Sequence, residues 1–372
     1  MLKIRIVGSM FGSSGYDSHT RQLFNALTKF KELDIRLDVP LPQDWIRLVN
    51  DEELKSLTKK ERVDDITIGI LTPPYGRIVL GDNTKKYVQY VVWEGDKIPK
   101  YWIEYLLDER VDMIFVPSQH TKQAIDNTCE SLFIRDKIIK KLRIVPHGVD
   151  LSLFKPTEVK RDSKFTFVCN KGWRGTDWDR GGVQYLLKAF TEEFKKNEPV
   201  QLLLKLNPAY LHPSQLKPVL DSLNLPQDRA EIKAIINDIP YNKLYEIYNM
   251  ADVFVCCSRT EAFNLPGLEA MACGLPNIQT DFGGQIDYLN TSNSFIIPIE
   301  TKEFSPDISY EGVKWGTPTI EAIRKVLREV YNNKEKIKEK GKQSLIDVQN
   351  WTWDNSAKKA LQFLNELKCF SI

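Results

Sequence analysis

Short apolar runs recur along the chain at Ile4 to Val7, Ile35 to Val39, Ile66 to Leu71, Val88 to Trp93, Met113 to Val116 and Leu142 to Val145. A second series follows at Phe165 to Cys169, Leu202 to Leu206, Ile232 to Ile236, Val253 to Cys257, Asn277 to Gln279 and Phe295 to Ile299. Each run has the length and bulk of a buried strand, and most are separated by stretches with helical spacing of apolar positions. Strand alternating with helix predicts βαβ units with right-handed crossovers and a parallel sheet, here in two copies. The repetition is architectural, because no sequence period accompanies it.

The boundary between the two series falls at Val145-Pro-His-Gly-Val-Asp150-Leu-Ser-Leu-Phe154-Lys-Pro156, whose prolines and glycine read as an inter-domain linker. A chain of 372 residues suits two domains of ordinary size. The reading is therefore a domain over 1–150 and a second over 151–354. His147 lies in the linker turn, where a hydrogen-bonded structural histidine is the better reading than a catalyst. Near the end, Trp351-Thr-Trp353-Asp354 precedes a helix that carries Ala357, Leu361, Leu364 and Leu367 on one face.

Composition narrows the function. The net charge is +2, so nothing draws the chain to nucleic acid. Six cysteines show no Cys-x-x-Cys pair, which indicates neither a zinc site nor a disulfide framework and fits free thiols in a reducing cytoplasm. The opening Met1 to Gly8 alternates charged and apolar residues and lacks the core of a signal peptide. The segment Pro42 to Lys60 combines Trp45, Ile46, Leu48 and Val49 with Lys55, Lys59 and Lys60. Core packing of an amphipathic helix is the first reading there, and peripheral membrane contact through the first domain is the second.

Candidate chemistry concentrates after the run Val253 to Cys257, in Ser258-Arg-Thr-Glu261-Ala-Phe-Asn-Leu-Pro266-Gly-Leu-Glu269-Ala-Met-Ala-Cys-Gly274. Pro266 opens a helix and Gly274 closes it. Glu261 then stands in the loop beyond the carboxyl end of a strand, where open α/β sheets bind ligands, and Glu269 is expected in the first helical turn beside free N–H groups. Backbone donors there suit phosphate oxygens, and the two carboxylates suit sugar hydroxyls.

These residues, together with Asp281-Phe-Gly-Gly-Gln285, resemble the donor-site signature of the retaining GT-B glycosyltransferases, the large group 1 set (family four) that includes glycogen synthases and many mannosyltransferases. The resemblance implies an α/β chain of the GT-B class, two Rossmann-like doubly wound parallel-sheet domains facing across a cleft. It also implies that the last helix, over 355–372, crosses back to the first domain. Glu261 is then the residue that contacts the donor sugar and Glu269 the one that holds the ribose. Phe263, Asn264 and Leu265 between them are donor-binding, as are the N–H groups of Gly283 and Gly284.

Two glycine loops follow first strands. Gly12-Ser-Ser-Gly15 precedes the helical stretch Tyr16 to Phe30, and Gly12 and Gly15 could bring backbone close to a diphosphate, or form a plain tight turn. The pattern is not Gly-x-Gly-x-x-Gly and no acidic ribose ligand follows in place, which disfavours a nicotinamide enzyme. In the second domain, Asn170-Lys171-Gly-Trp-Arg174-Gly-Thr-Asp-Trp-Asp-Arg180-Gly-Gly182 sets three cations at the mouth of a strand. Such a cluster suits a diphosphate whose charge grows as the bond to it breaks. Lys171 and Arg180 match the two basic positions of the family, Arg180 replacing the more usual Lys. Arg174 is an additional cation, in an insertion around Trp173 and Trp178 that is longer than the family's.

Lys205 is an ionisable residue inside an apolar run, so it either points into the cleft or marks an edge strand. In the first domain, Trp93-Glu94 stands where many family members have a histidine that contacts the transferred sugar. Glu94 therefore orients an acceptor hydroxyl, binds the donor sugar, or caps the helix after Pro99.

The resemblance implies transfer of a sugar from a nucleotide-diphosphate sugar to an acceptor with retention at the anomeric carbon. The acceptor is a glycan, a lipid-linked sugar or a small metabolite. The nucleotide sugar is a co-substrate, and no cofactor, metal or nucleic acid is implied. A cytoplasmic location is expected, with the inner membrane face as the alternative. Two other readings compete: a nucleotide-sugar epimerase on the same architecture, which needs no acceptor, and a non-catalytic nucleotide-sugar or glycan-binding protein, which binds without turnover.

Overall fold

The protein is described by a computed structural model, covering all residues except 11, 13, 40–61, 80–83, 177 and 370–372. The segment Pro42 to Lys60, read above as an amphipathic helix, lies outside the described residues. The chain divides into two compact units, Met1–Gly148 with Trp351–Ile372, and Val149–Asn350.

The first unit holds strands β1 (Leu2–Gly8), β2 (Leu33–Asp38), β3 (Asp64–Ile70), β4 (Thr84–Tyr90), β5 (Val111–Val116) and β6 (Leu142–Ile144). They form one parallel sheet in the order β2-β1-β3-β4-β5-β6. Every apolar run of the first series is a strand, although β4 ends at Tyr90 and leaves Trp93 in the following loop. The helix after the first glycine loop runs Gly15–Leu27, shorter than the expected stretch to Phe30. The helix Trp353–Cys369 buries Ala357, Leu361 and Leu364 in this unit. Its Ser356 hydroxyl donates to the Pro146 carbonyl at 2.5 Å, and Glu366 pairs with Arg143 at 3.0 Å.

The second unit holds β7 (Phe165–Lys171), β8 (Val200–Leu206), β9 (Glu231–Ile235), β10 (Val253–Cys256), β11 (Asn277–Thr280) and β12 (Ser294–Ile297). They form a second parallel sheet, ordered β12-β11-β10-β7-β8-β9. Phe167, Leu202, Leu204, Val253, Val255 and Ile278 meet Leu186, Leu187 and Phe190 of the helix Val183–Glu193, and Ile323 and Leu327 of the helix Ile320–Asn332, in one apolar core. Counted from β7, the strands lie 3-2-1-4-5-6, which puts the reversal of winding between β7 and β10. At such a switch point the loops leaving two adjacent strands part to opposite faces and open a crevice between them. Both loops carry the candidate residues.

A short antiparallel pair, β13 (Thr301–Phe304) with β14 (Lys314–Thr317), was not expected. Its first strand is exposed throughout and gives no apolar alternation to read. Among the described residues, no helix is long and apolar enough to cross a membrane.

Candidate functional site

At the switch point of the second unit, β7 delivers Lys171 and the loop after β10 delivers Glu261. Lys171 Nζ donates to Glu261 Oε1, which also accepts from the Ser258 hydroxyl at 2.6 Å and lies 3.5 Å from Arg180 Nη1. Arg180 also donates to the Thr260 carbonyl at 2.9 Å. The Glu261 residue is 7% exposed. Burial opposes its ionisation, but Lys171, Arg180 and the hydrogen bonds from Lys171 and Ser258 outweigh it, and its pKa lies below the usual value. Lys171 responds in the opposite sense: burial would lower its pKa, and Glu261 raises it above the usual value. The pair is a lysinium and a carboxylate at neutral pH.

The basic loop takes its shape from Asp179, a residue the sequence reading passed over. Its carboxylate accepts from the Gly181 N–H at 2.6 Å and the Arg174 N–H at 2.9 Å, and its carbonyl from Gln184 at 2.9 Å. Trp173 anchors the insertion in the apolar core. Gly182 has φ +71°, and a Cβ there would stand 1.9 Å from the Cys257 carbonyl oxygen, so the two loops approach at a distance only glycine permits. Of the three expected cations, Lys171 and Arg180 converge on Glu261. Arg174 instead faces Asp307, with 3.5 Å between charged atoms.

Glu269 is displaced from its expected place. The helix runs Leu265–Ala272 with no acidic residue in its first turn, so Glu269 lies a turn deeper and is 6% exposed. The helix dipole is not what holds it. Its Oε2 accepts from the Tyr248 hydroxyl at 2.5 Å, and burial, opposed by hydrogen bonds from Tyr248 and Tyr241, raises its pKa to about 7.

Between the glutamates, Phe263 is buried, and Leu265 begins the helix half-exposed. Asn264 adopts φ +65° and ψ +71°. It donates to Gln279 at 2.6 Å, and its carbonyl accepts from the Tyr288 hydroxyl at 2.9 Å. This buried polar network stabilises a backbone state that a β-carbon disfavours.

The Asp281 to Gln285 loop closes over Glu261 from the other side. Gly284 N–H donates to the Glu261 carbonyl at 2.7 Å, so it is occupied holding the loop rather than presented to a donor as expected. Gly283 has φ +127°, and a Cβ there would come within 2.8 Å of Glu261 N. Arg259, also missed, is a buried guanidinium that bonds Thr317 at 2.9 Å and Glu303 at 3.1 Å under the Trp315 ring, tying β13 and β14 to the loop after β10.

Lys205 is not on an edge, because β8 pairs with both β7 and β9. It is 6% exposed, donates to the Leu206 carbonyl at 2.9 Å, and burial lowers its pKa against the pull of Asp238.

In the first unit, the N–H groups of Gly12 and Ser14 donate to the buried Asp17 carboxylate, at 2.9 and 3.1 Å. These donors are turned inward, which corrects the reading of Gly12 as an open phosphate cradle. Gly15 is the first residue of the helix and has no positive φ. Glu94 is not the N-cap residue of the helix after Pro99: that helix runs Trp102–Leu106, and its N-terminal flank is Tyr101, which makes no side-chain cap. Trp93 packs edge-on against Trp102 at 4.9 Å and donates to Lys97 O at 2.5 Å, and His120 donates to the Glu94 carbonyl at 2.5 Å. Burial first and the Glu94 charge second raise the Tyr16 pKa, which marks that phenol as the neighbour of Glu94. His147 is buried against His19, Tyr90 and Trp353, and burial lowers its pKa to about 3. A neutral core imidazole is the result. Among the described residues, no cluster of His, Cys, Asp and Glu could hold a metal ion.

Residues 230–344, which include both glutamates, match the family model "Glycosyl transferases group 1". A putative glycosyltransferase 45 of Sulfolobus islandicus filamentous virus is 24% identical over 220 residues, 58% of this chain and 55% of the viral protein. The matched segments span about half the length of such curated relatives, as they do for a probable sucrose-phosphate synthase of Thermosipho melanesiensis (54%). Among solved structures, sucrose-phosphate synthase from Thermosynechococcus elongatus superposes over 100% of both chains with a TM-score of 0.69 at 17% identity. Anabaena HepE in complex with UDP-glucose does so over 98% and 100% with a TM-score of 0.68 at 12% identity. The two doubly wound sheets are those of the GT-B fold, and the second of them carries the match to the group 1 glycosyltransferases.

Proposed function

We propose that the protein transfers a sugar from a nucleoside-diphosphate sugar to a hydroxyl acceptor, with retention at the anomeric carbon. The observation that carries this reading is the buried cluster at the switch point, one carboxylate held between Lys171 and Arg180. In the proposed complex the two cations receive the diphosphate, which accumulates charge as its bond to the anomeric carbon breaks. Glu261 then orients the sugar hydroxyls. The acceptor oxygen bonds to the same face of the anomeric carbon, and its proton passes to the departing diphosphate oxygen. Glu269 accepts hydrogen bonds from the ribose. Glu94, in the first unit, is proposed to orient the acceptor or donor sugar, and peripheral membrane contact remains an option for that unit if the acceptor is lipid-linked.

The test is a thermal-shift panel of UDP, GDP, ADP and their common sugar conjugates, with UDP first because the Anabaena structure holds UDP-glucose. A nucleotide at about 100 times its dissociation constant stabilises by about 2.7 kcal/mol. A shift confined to one nucleotide family supports the reading and fixes the base. No shift with any of them sinks it. Turnover in the presence of acceptors, with the product anomer read by NMR, then separates transfer from epimerisation and from binding alone.

A further inference from the structure

The last two residues of β7, Asn170 and Lys171, point to opposite faces of the sheet, as consecutive strand residues must. Lys171 holds Glu261. Asn170 donates through Nδ2 to the Tyr248 hydroxyl at 2.8 Å, and that hydroxyl donates in turn to Glu269 Oε2 at 2.5 Å. A single strand end thus sets both carboxylates, one directly and one through a phenol.

Tyr248 is built into its place. It sits in the helix Leu244–Asn249, is fully buried, and its ring packs against Phe154 and Phe254 with centroids 6.0 and 6.2 Å away. Because Asn170 occupies the hydroxyl oxygen as donor, the one hydroxyl proton is committed to Glu269. Glu269 also accepts from Tyr241, so two phenols hold this buried carboxylate. Two fixed proton donors favour one rotamer, and because a carboxylate has about four lone-pair sites, positions remain to accept from a ligand. Phe at position 248 would fill the same volume and pack the same rings, yet supply no proton. The hydroxyl therefore contributes direction, which the packing of the ring does not.

We propose that Tyr248, oriented by Asn170, is a positioning residue that aims the Glu269 carboxylate at the ribose hydroxyls of the nucleotide donor, and so sets the protein's preference for ribose over deoxyribose nucleotides. The inference rests on the donor-site reading above and adds to it a residue that lies outside the Glu261 to Gln285 stretch. Its range is limited to the sugar of the nucleotide: base, diphosphate and transferred sugar are untouched by it.

The experiment measures dissociation constants of UDP, GDP and ADP and of their 2′,3′-dideoxy counterparts for the wild-type chain, Tyr248→Phe and Asn170→Ala. The wild type is expected to prefer the ribose form by tenfold or more, since a charged hydrogen bond contributes about 1.5–3 kcal/mol and 1.4 kcal/mol is tenfold. In Tyr248→Phe that ratio should fall towards one through weaker ribose binding, with dideoxy affinity unchanged. Asn170→Ala should move it the same way by a smaller factor, and decides the matter if the phenylalanine variant does not fold. A merely structural role would weaken both nucleotide forms equally, and that outcome overturns the proposal. A wild-type preference retained in full by both variants overturns it too, while leaving the donor-site reading intact. No binding of any nucleoside diphosphate to the wild type overturns both.

Discussion

Glu269→Gln isolates one buried carboxylate, and its consequence for stability can be worked from the structure. Burial raises the Glu269 pKa from the usual 4.5 to about 7, against the lowering effect of hydrogen bonds from Tyr248 and Tyr241. A folded-state pKa above the unfolded one means the folded chain holds the proton more tightly. The stability this confers is complete below pH 4.5 and is lost as pH rises through about 7. At 1.36 kcal/mol per pKa unit the whole effect is roughly 3 kcal/mol, most of which falls between pH 5 and pH 8. Glutamine keeps the shape, can still accept from Tyr248, and does not titrate. Any cost of its extra N–H groups is the same at both pH values and cancels in the comparison. Relative to wild type, the variant should therefore gain roughly 2–3 kcal/mol on going from pH 5 to pH 8. For a unit of this size that is roughly a 5–10 °C change in the difference between the two melting temperatures. The assay is thermal unfolding of both proteins at the two pH values without ligand. Melting temperatures that run parallel with pH would refute the reasoning, because Glu269 would then titrate alike in the folded and unfolded chains.

Further expectations follow from the same contacts. Glu261→Gln should cut sugar transfer at least a hundredfold, and near-normal turnover would remove Glu261 from the donor site. Lys171→Met leaves Glu261 buried without its main partner, a change that typically costs about 3–5 kcal/mol. Because the folded Glu261 pKa lies below 4.5, its contribution is present above that pH and lost as pH falls through the folded value. The methionine variant should lose this acid limb, which a comparison of unfolding at pH 3 to 6 would reveal. Arg180→Ala should weaken a nucleoside diphosphate by about tenfold and spare the free nucleoside, as a charge-assisted phosphate contact predicts. Equal losses for both in calorimetric titration would take Arg180 off the phosphate. Gly182→Ala drives a Cβ to 1.9 Å from the Cys257 carbonyl at φ +71° and should destabilise the second unit by roughly 2 kcal/mol or more. Unchanged thermal stability would show that the two loops can part.

Much of this protein could be read from local pattern. The apolar runs mark all twelve strands of the two parallel sheets; most are buried on both faces and so must be apolar wherever they are placed, although β9, at a sheet edge, is exposed or half-buried. Pro266 and Gly274 bound the helix after β10 for equally local reasons: a ring that fits the first turn, and a glycine at φ +83° that ends the last. Glu261 is legible as a candidate site residue from its place after a strand. The hairpin β13 and β14 escaped notice because its first strand is exposed and has no periodicity to display.

The tertiary structure decided which of these marks meet. Strand order, with the winding reversed between β7 and β10, brings Lys171 and Arg180 to Glu261 across 80 to 90 residues of sequence. The same packing sends Arg174 to Asp307 and sets Tyr248 between Asn170 and Glu269, whereas the turn of the Gly12 and Ser14 donors toward Asp17 is local, with Ser14 and Asp17 forming a capping box. Composition and spacing could not distinguish Arg174 from Arg180, since both are cations in one glycine-rich loop. Burial periodicity is a property each segment carries along its own length, so sequence by itself determined the elements. A hydrogen bond or ion pair between distant residues depends on where the sheet places two strand ends and which way each side chain leaves the backbone, and that geometry exists only once the core has packed.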